Sequence, residues 1–187
     1  MKGAIKMKIK QRSNALFCTG FIVVFFVWLI VYTSELSAIS LLKTALLIAL
    51  SYIAMVLDIK TKRIPNILVL IMITGWLILI LPMLFYDTNN GLKLLVDSLY
   101  GLLLGGGLFL LVYLLSRKGL GGGDVKFMAA AGLYLGFAGT IPAILYGTVL
   151  AALTGLILIL FKKIGRKDTM PLAPFLFAGI MITLFTY

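Results

Sequence analysis

The sequence predicts an all-α, polytopic membrane protein with about seven (six to seven) transmembrane helices. Hydrophobic residues make up 62% of the 187 residues, charged residues only 12%, and the mean hydropathy is +1.14. A soluble fold of this size has too much surface for its volume to bury so much apolar area. The composition therefore excludes an ordinary soluble domain, a disordered chain and a nucleic-acid-binding module. Because a transmembrane helix takes about 20 residues, little length remains for a soluble domain.

Apolar stretches recur along the whole chain, which we interpret as a single membrane-embedded domain over residues 1–187. The first stretch follows a basic N-terminus that resembles the start of a signal peptide. It is too long for one, and no small-residue cleavage site follows, so we predict a retained helix. The break between the fifth and sixth helices depends on Gly136, Gly139 and Pro142. The predicted helices cover residues 15–33, 39–57, 67–86, 95–115, 125–138, 140–161 and 173–187.

The basic residues predict the orientation of these helices. Most of the 17 Lys and Arg residues precede the first predicted helix or lie in every second connection after it. Lys and Arg favour the cytoplasmic side of a membrane. We therefore expect a multi-pass protein of the inner (cytoplasmic) cell membrane, with its N-terminus in the cytoplasm and, for seven helices, its C-terminus outside.

The residue types that are missing exclude several chemistries. The sequence has no His, so it has no Ser-His-Asp triad, no Cys-His dyad and no His-ligated metal. Its one Cys, Cys18, lies within an apolar stretch and has no second Cys for a disulfide or a metal cluster. The sequence therefore predicts neither a metal nor another cofactor.

Two of the six acidic residues are candidates for chemistry, since ionisable groups at membrane depth are costly. Asp58 closes the second predicted helix and Asp124 opens the fifth. The predicted topology places both at the cytoplasmic edge, at nearly the same depth. The other four are interpreted as charges in or beside external loops, or as a countercharge in a basic segment: Glu35, Asp87, Asp97 and Asp168.

Two carboxyl groups that meet at a membrane boundary are typical of an aspartic protease. The ionised group takes a proton from water, and the protonated group polarises the scissile carbonyl. Three glycines, Gly121–Gly123, precede Asp124 and would let a peptide substrate approach the backbone closely. The simpler alternatives are a flexible turn at these glycines and a solvated charge at Asp58. Pro65 follows the basic loop where the third helix is predicted to begin.

Two segments resemble the signatures of the type IV prepilin peptidase family, the GxGD intramembrane aspartyl proteases of type IV pilus and protein secretion systems. Residues 58–66 read Asp-Ile-Lys-Thr-Lys-Arg-Ile-Pro-Asn, an Asp and a short basic loop before Ile-Pro-Asn. Residues 121–128 read Gly-Gly-Gly-Asp-Val-Lys-Phe-Met, a GxGD followed by Val-Lys. The stretches 130–136 and 170–176 continue the likeness.

This resemblance implies that Asp58 and Asp124 are the catalytic pair. The implied reaction cleaves the basic leader from prepilin, pseudopilin or archaellin-like precursors, on the cytoplasmic side of the membrane. The implied partners are a membrane-inserted prepilin-like peptide and the lipid bilayer, without nucleic acid; a homo-oligomer is compatible with the sequence. Residues around the pair are expected to bind the substrate, although Lys126 could instead extend to the lipid headgroups. They are Pro65, Asn66, Gly121, Gly122, Gly123 and Lys126.

Larger members of the family carry paired Cys-x-x-Cys motifs and also methylate the new N-terminus. With one Cys, this chain resembles a short form without the methyltransferase region and without zinc. Two alternative functions stay open. A small proton-coupled transporter would place its acidic groups near the bilayer midplane. A non-catalytic membrane component of a secretion system would keep the two aspartates apart.

Overall fold

A computed structural model describes residues 38–116, 119–162 and 170–186, and the regular secondary structure in these residues is α-helical. Within these ranges, four helices are long and apolar enough to cross a membrane, and a fifth is apolar but has 14 residues. The chain is therefore a multi-pass membrane protein. The helices are α1 (Ala38–Thr61), α2 (Asn66–Tyr86), α3 (Thr88–Leu115), α4 (Gly122–Leu160) and α5 (Ala173–Thr186).

The chain divides into two compact units, residues 1–41 and 42–187. Of the first unit, only the start of α1 is described, and the packed helices and their cavities belong to the second unit. The predicted helix over 15–33 lies outside the described residues. The total of six or seven helices, like the single domain over 1–187, stays a prediction.

The start of α3 differs most from its predicted position. The prediction begins this helix at residue 95, after a polar stretch, whereas α3 begins at Thr88. The reason is a side-chain cap: an Asp87 carboxylate oxygen accepts the backbone N–H of Asn90 at 3.3 Å. Such a cap satisfies a donor that the first turn leaves without a partner. Asp97, predicted in or beside a loop, consequently lies within the helix.

The chain reverses its direction inside α4, at Gly136. This residue has φ 70° and ψ −175°, which is not helical. Gly105 of α3 lies against Met128, before the reversal, and against Thr140, after it. Beyond Thr140, the second half of α4 follows α3 back, and both helices line one apolar cavity through Leu108, Phe109, Val112, Ile144, Thr148 and Ala151. The break predicted between residues 138 and 140 therefore corresponds to Gly136.

Small residues allow the helices of the bundle to approach closely, as is usual in lipid. Gly101 of α3 packs directly on the backbone of Gly132 and Gly136. Gly179 of α5 packs on the second half of α4, where a Cβ would lie 2.6 Å from the backbone nitrogen of Gly147. Because both halves of α4 have such contacts, α4 joins α3 and α5 into one packed unit.

Candidate active site

Two helix ends place Asp58 and Asp124 at the same end of the bundle. Asp58 lies in the last turn of α1 and is 5% exposed, while Asp124 lies in the first turn of α4 and is half-buried. The two side chains are close enough to interact electrostatically. Both line two cavities, of about 270 and 380 Å³. We call the smaller one the α5 cavity, since Met170, Pro171 and Leu172 line it, and the larger one the loop cavity, since Arg63 and Ile64 line it.

Asp58 is held by the beginning of α5. The backbone N–H of Ala173, the first residue of α5, donates to Oδ2 of Asp58 at 3.0 Å, and Ala173 is fully buried. The first N–H groups of a helix have no partner within the helix. Asp58 supplies that partner, so α5 is a third element of the site besides α1 and α4.

The loop after Asp58 lies against the first turn of α4. A Cβ on Gly123 would lie 3.2 Å from Cβ of Ile64 and 3.4 Å from its backbone nitrogen and oxygen. One turn further on, Lys126 Nζ donates to Oδ1 of Asn66 at 3.0 Å. Gly123 thus permits close contact between the two signature segments. Pro65 directly precedes the first helical residue of α2, with φ −70° and ψ 141°.

Gly121 and Gly122 have different surroundings. A Cβ on Gly121 would lie 2.9 Å from Oδ2 of Asp124, whereas a Cβ on Gly122 would have no neighbour within 4 Å. The carbonyl of Gly121 also accepts the backbone N–H of Asp124 at 3.1 Å. Gly121 therefore forms a wall beside the Asp124 carboxylate, and Gly122 leaves open space.

Lys62 is a site residue that the sequence reasoning missed. It has φ 52°, an uncommon conformation for a residue other than glycine. Its backbone N–H donates to the carbonyl of Asp58 at 2.7 Å, directly after the end of α1, and Lys62 is among the residues that line both cavities. The sequence signal that could have indicated this conformation is the position of Lys62 just after a helix end, where left-handed residues are common.

The described parts of the second unit contain no group of three or more His, Cys, Asp and Glu side chains that could hold a metal ion. The expected absence of a metal and of other cofactors stays a prediction. The chemistry available at this site is that of two carboxyl groups with cationic side chains beside them.

The family model of the type IV leader peptidase family matches residues 45–160, which include Asp58 and Asp124. The chain belongs to this family. The resemblance seen in residues 58–66 and 121–128 is thereby confirmed. The structure adds that these two segments, both within the range matched by the leader peptidase family, are in contact.

Two leader peptidases illustrate the relationship. The chain is 32% identical over 149 residues to the prepilin leader peptidase/N-methyltransferase of Bacillus subtilis (strain 168), covering 78% of this chain and 56% of that protein. It is also 32% identical over 137 residues to the protein of the same name from Escherichia coli (strain K12), covering 69% of this chain and 56% of that protein. The chain thus spans about half the length of these relatives. No solved structure is significantly similar to it.

Proposed function

We propose that this protein is a membrane aspartyl endopeptidase that cleaves the leader peptide of type IV prepilin, pseudopilin or archaellin-like precursors. The observation that carries the proposal is the position of Asp58 and Asp124, which line the same two cavities in a leader peptidase family member. Two carboxyl groups at one site can divide the roles of general base and general acid.

In the proposed reaction, a water molecule bound between the two side chains attacks the scissile carbonyl carbon. The ionised carboxylate takes a proton from this water, and the protonated carboxyl group donates its proton to the carbonyl oxygen. In the tetrahedral intermediate, the C–N bond then breaks as the leaving nitrogen receives a proton from the pair. At the same time, one of the two hydroxyl groups of the intermediate returns its proton to the pair and becomes the new C=O. The water oxygen therefore stays in the new carboxyl terminus.

The surroundings of the pair suit an extended peptide. Gly121 and Gly122 are exposed beside the loop cavity and present backbone without side chains. Basic residues cluster at this end of the bundle, which supports a cytoplasmic position for the site. They include Lys60, Lys62, Arg63 and Lys126. We accordingly propose that the cut lies at the inner boundary of the cytoplasmic membrane, next to the apolar segment of the substrate. The methyltransferase activity in the relatives' names is not part of the proposal.

The proposed function can be tested with the purified protein in lipid nanodiscs. A synthetic peptide with a basic leader before an apolar segment should be cut once, at their junction, as shown by product masses. In water labelled with ¹⁸O, the released leader should carry one heavy oxygen at its new carboxyl terminus. Failure to cut prepilin-, pseudopilin- and archaellin-like peptides would contradict the proposal, and proton flux in proteoliposomes would favour a transporter.

Gly121→Ala should slow cleavage, and Gly122→Ala should leave it nearly unchanged. The new Cβ at position 121 pushes on Oδ2 of Asp124, whereas the one at position 122 enters open space. A displacement of about 1 Å at a reacting group can cost roughly 10²-fold in rate. Initial rates of both variants, compared at equal amounts of folded protein, test this. Equal rates would mean that Gly121 does not define the position of Asp124.

Lys62→Gln should lower the cleavage rate several-fold, and Lys60→Gln should have a smaller effect. Both changes remove one positive charge from the same loop, but only Lys62 lines the two cavities. The dyad carries negative charge, which a nearby cation stabilises. The comparison uses rates at moderate ionic strength, where interactions between distant surface charges are screened. Similar losses in the two variants would indicate a general effect of loop charge instead.

A further inference from the structure

The start of α5 contacts the carboxylate of Asp58, and the proposed reaction gives this contact no role. The hydrogen bond from Ala173 N–H to Oδ2 is 3.0 Å long, and both residues are buried. The carbonyl of Leu172 accepts the N–H groups of Phe175 and Leu176 at 3.0 and 3.2 Å, so the first turn of α5 is formed. Ala173 N–H therefore points at Asp58 from a defined turn of helix.

We propose that Ala173 is a positioning residue of the active site: its backbone N–H fixes the Asp58 carboxylate for the reaction with Asp124. This inference rests on the proposed function for its catalytic meaning, but the hydrogen bond can be tested without any cleavage. A buried N–H that loses its acceptor costs about 1–3 kcal/mol, so this contact is costly to break. It holds Asp58 in one orientation before substrate arrives.

The packing of α5 explains why Ala173 can serve as a fixed point. A Cβ on Gly147, in the second half of α4, would lie 3.1 Å from Cα of Leu176, which has no exposed surface. Gly179, one turn further along α5, packs on the carbonyl of Ala143. Because these contacts involve backbone atoms, α5 cannot slide along α4 without creating clashes.

The positions of both carboxylates thus depend on α4. Its first half carries Asp124, and its second half holds α5, whose Ala173 binds Asp58. The reversal at Gly136 joins the two halves. The relative position of the pair is accordingly set within one packed unit, rather than by the loop between α1 and α2 alone.

Hydrogen–deuterium exchange in nanodiscs tests the contact directly. In Asp58→Ala, the amide of Ala173 loses its acceptor, and its exchange should become roughly tenfold faster or more, as loss of a buried hydrogen bond predicts. In Asp124→Ala, which removes the other carboxylate, exchange at Ala173 should stay as in the wild type. Unchanged exchange in Asp58→Ala, or equal acceleration in both variants, would overturn the proposal.

Ala173→Pro then tests the effect on catalysis. Proline removes this N–H, and its fixed φ suits the first position of a helix. Ala173→Val adds similar bulk at the same buried site and keeps the N–H. Cleavage by the proline variant should fall roughly tenfold or more, and the valine variant should retain clearly more activity. Equal losses of cleavage in the two variants would mean that the added side-chain volume causes the loss, and would contradict the positioning role. If the wild type itself cleaves no leader peptide, the proposed function fails while the exchange result still decides the contact.

Discussion

Asp124→Asn and Asp58→Asn should each abolish cleavage of a leader peptide while the protein stays folded in the membrane. Asn is nearly the same size as Asp but can neither accept the proton of the attacking water nor give one to the carbonyl. A positioned general acid or base contributes about 10²- to 10⁴-fold to a rate. Since either change removes one of two cooperating groups, each single variant should lose at least that factor. Initial rates measured by product mass test this.

Asp87→Asn is the matched control. It makes the same chemical change at the connection between α2 and α3, outside both site cavities. Asp87 caps α3 by accepting the N–H of Asn90, and Asn is as good a cap as Asp. Its cleavage rate should therefore stay close to that of the wild type. Turnover retained in Asp58→Asn or Asp124→Asn would remove that residue from the proposed chemistry.

The aspartate pair could be predicted from the sequence because its signals are local. A charge at the end of an apolar stretch is conspicuous, and the glycines before Asp124 and the Ile-Pro-Asn after the basic loop are contiguous motifs. The distribution of basic residues then predicts that both aspartates lie on one side of the membrane. These signals need no knowledge of packing, and the structure brings Asp58 and Asp124 to the same cavities.

Other parts of the site depend on contacts between distant segments. Ala173 contributes a backbone N–H, a group that every residue except proline has, so its type gives no indication of its partner. The partners of Asp97 are equally hidden: it looks like a charge beside a loop because it follows the polar stretch 87–93 closely. In the structure, Oδ1 of Asp97 accepts the backbone N–H of Phe137 at 3.0 Å, and Lys43 of α1 interacts with it electrostatically. Both partners become visible only when the helices are packed.

Gly136→Ala should destabilise the protein more than alanine at any helical glycine with open space around it. With φ 70° and ψ −175°, Gly136 occupies a region that is essentially restricted to glycine, where other residues are strained by about 1–3 kcal/mol. A Cβ there would also collide with the Asp97 carboxylate. If Asp97 moves away, Phe137 N–H loses its charged acceptor, which costs about 1.5–3 kcal/mol more. Thermal unfolding in nanodiscs should show a clear decrease in midpoint.

Gly107→Ala is the control for that measurement. Gly107 lies within α3, and a Cβ on it would meet nothing within 4 Å. Alanine is the better helix former by about 1 kcal/mol, so this variant should be as stable as the wild type or more stable. A similar decrease in both variants would mean that neither the left-handed backbone nor Asp97 determines the effect.

The Gly136→Ala variant should also lose cleavage under conditions where it remains folded. The first half of α4 carries Asp124, and α5, which contacts Asp58, packs on its second half. A changed angle between the two halves therefore moves Asp58 relative to Asp124.

Adding Asp97→Ala should relieve the collision, and the double variant should be less destabilised than the sum of its single changes, as expected for residues in contact. Additive effects would show that the collision with Asp97 contributes little. Full activity in folded Gly136→Ala would show that the pair does not depend on the reversal.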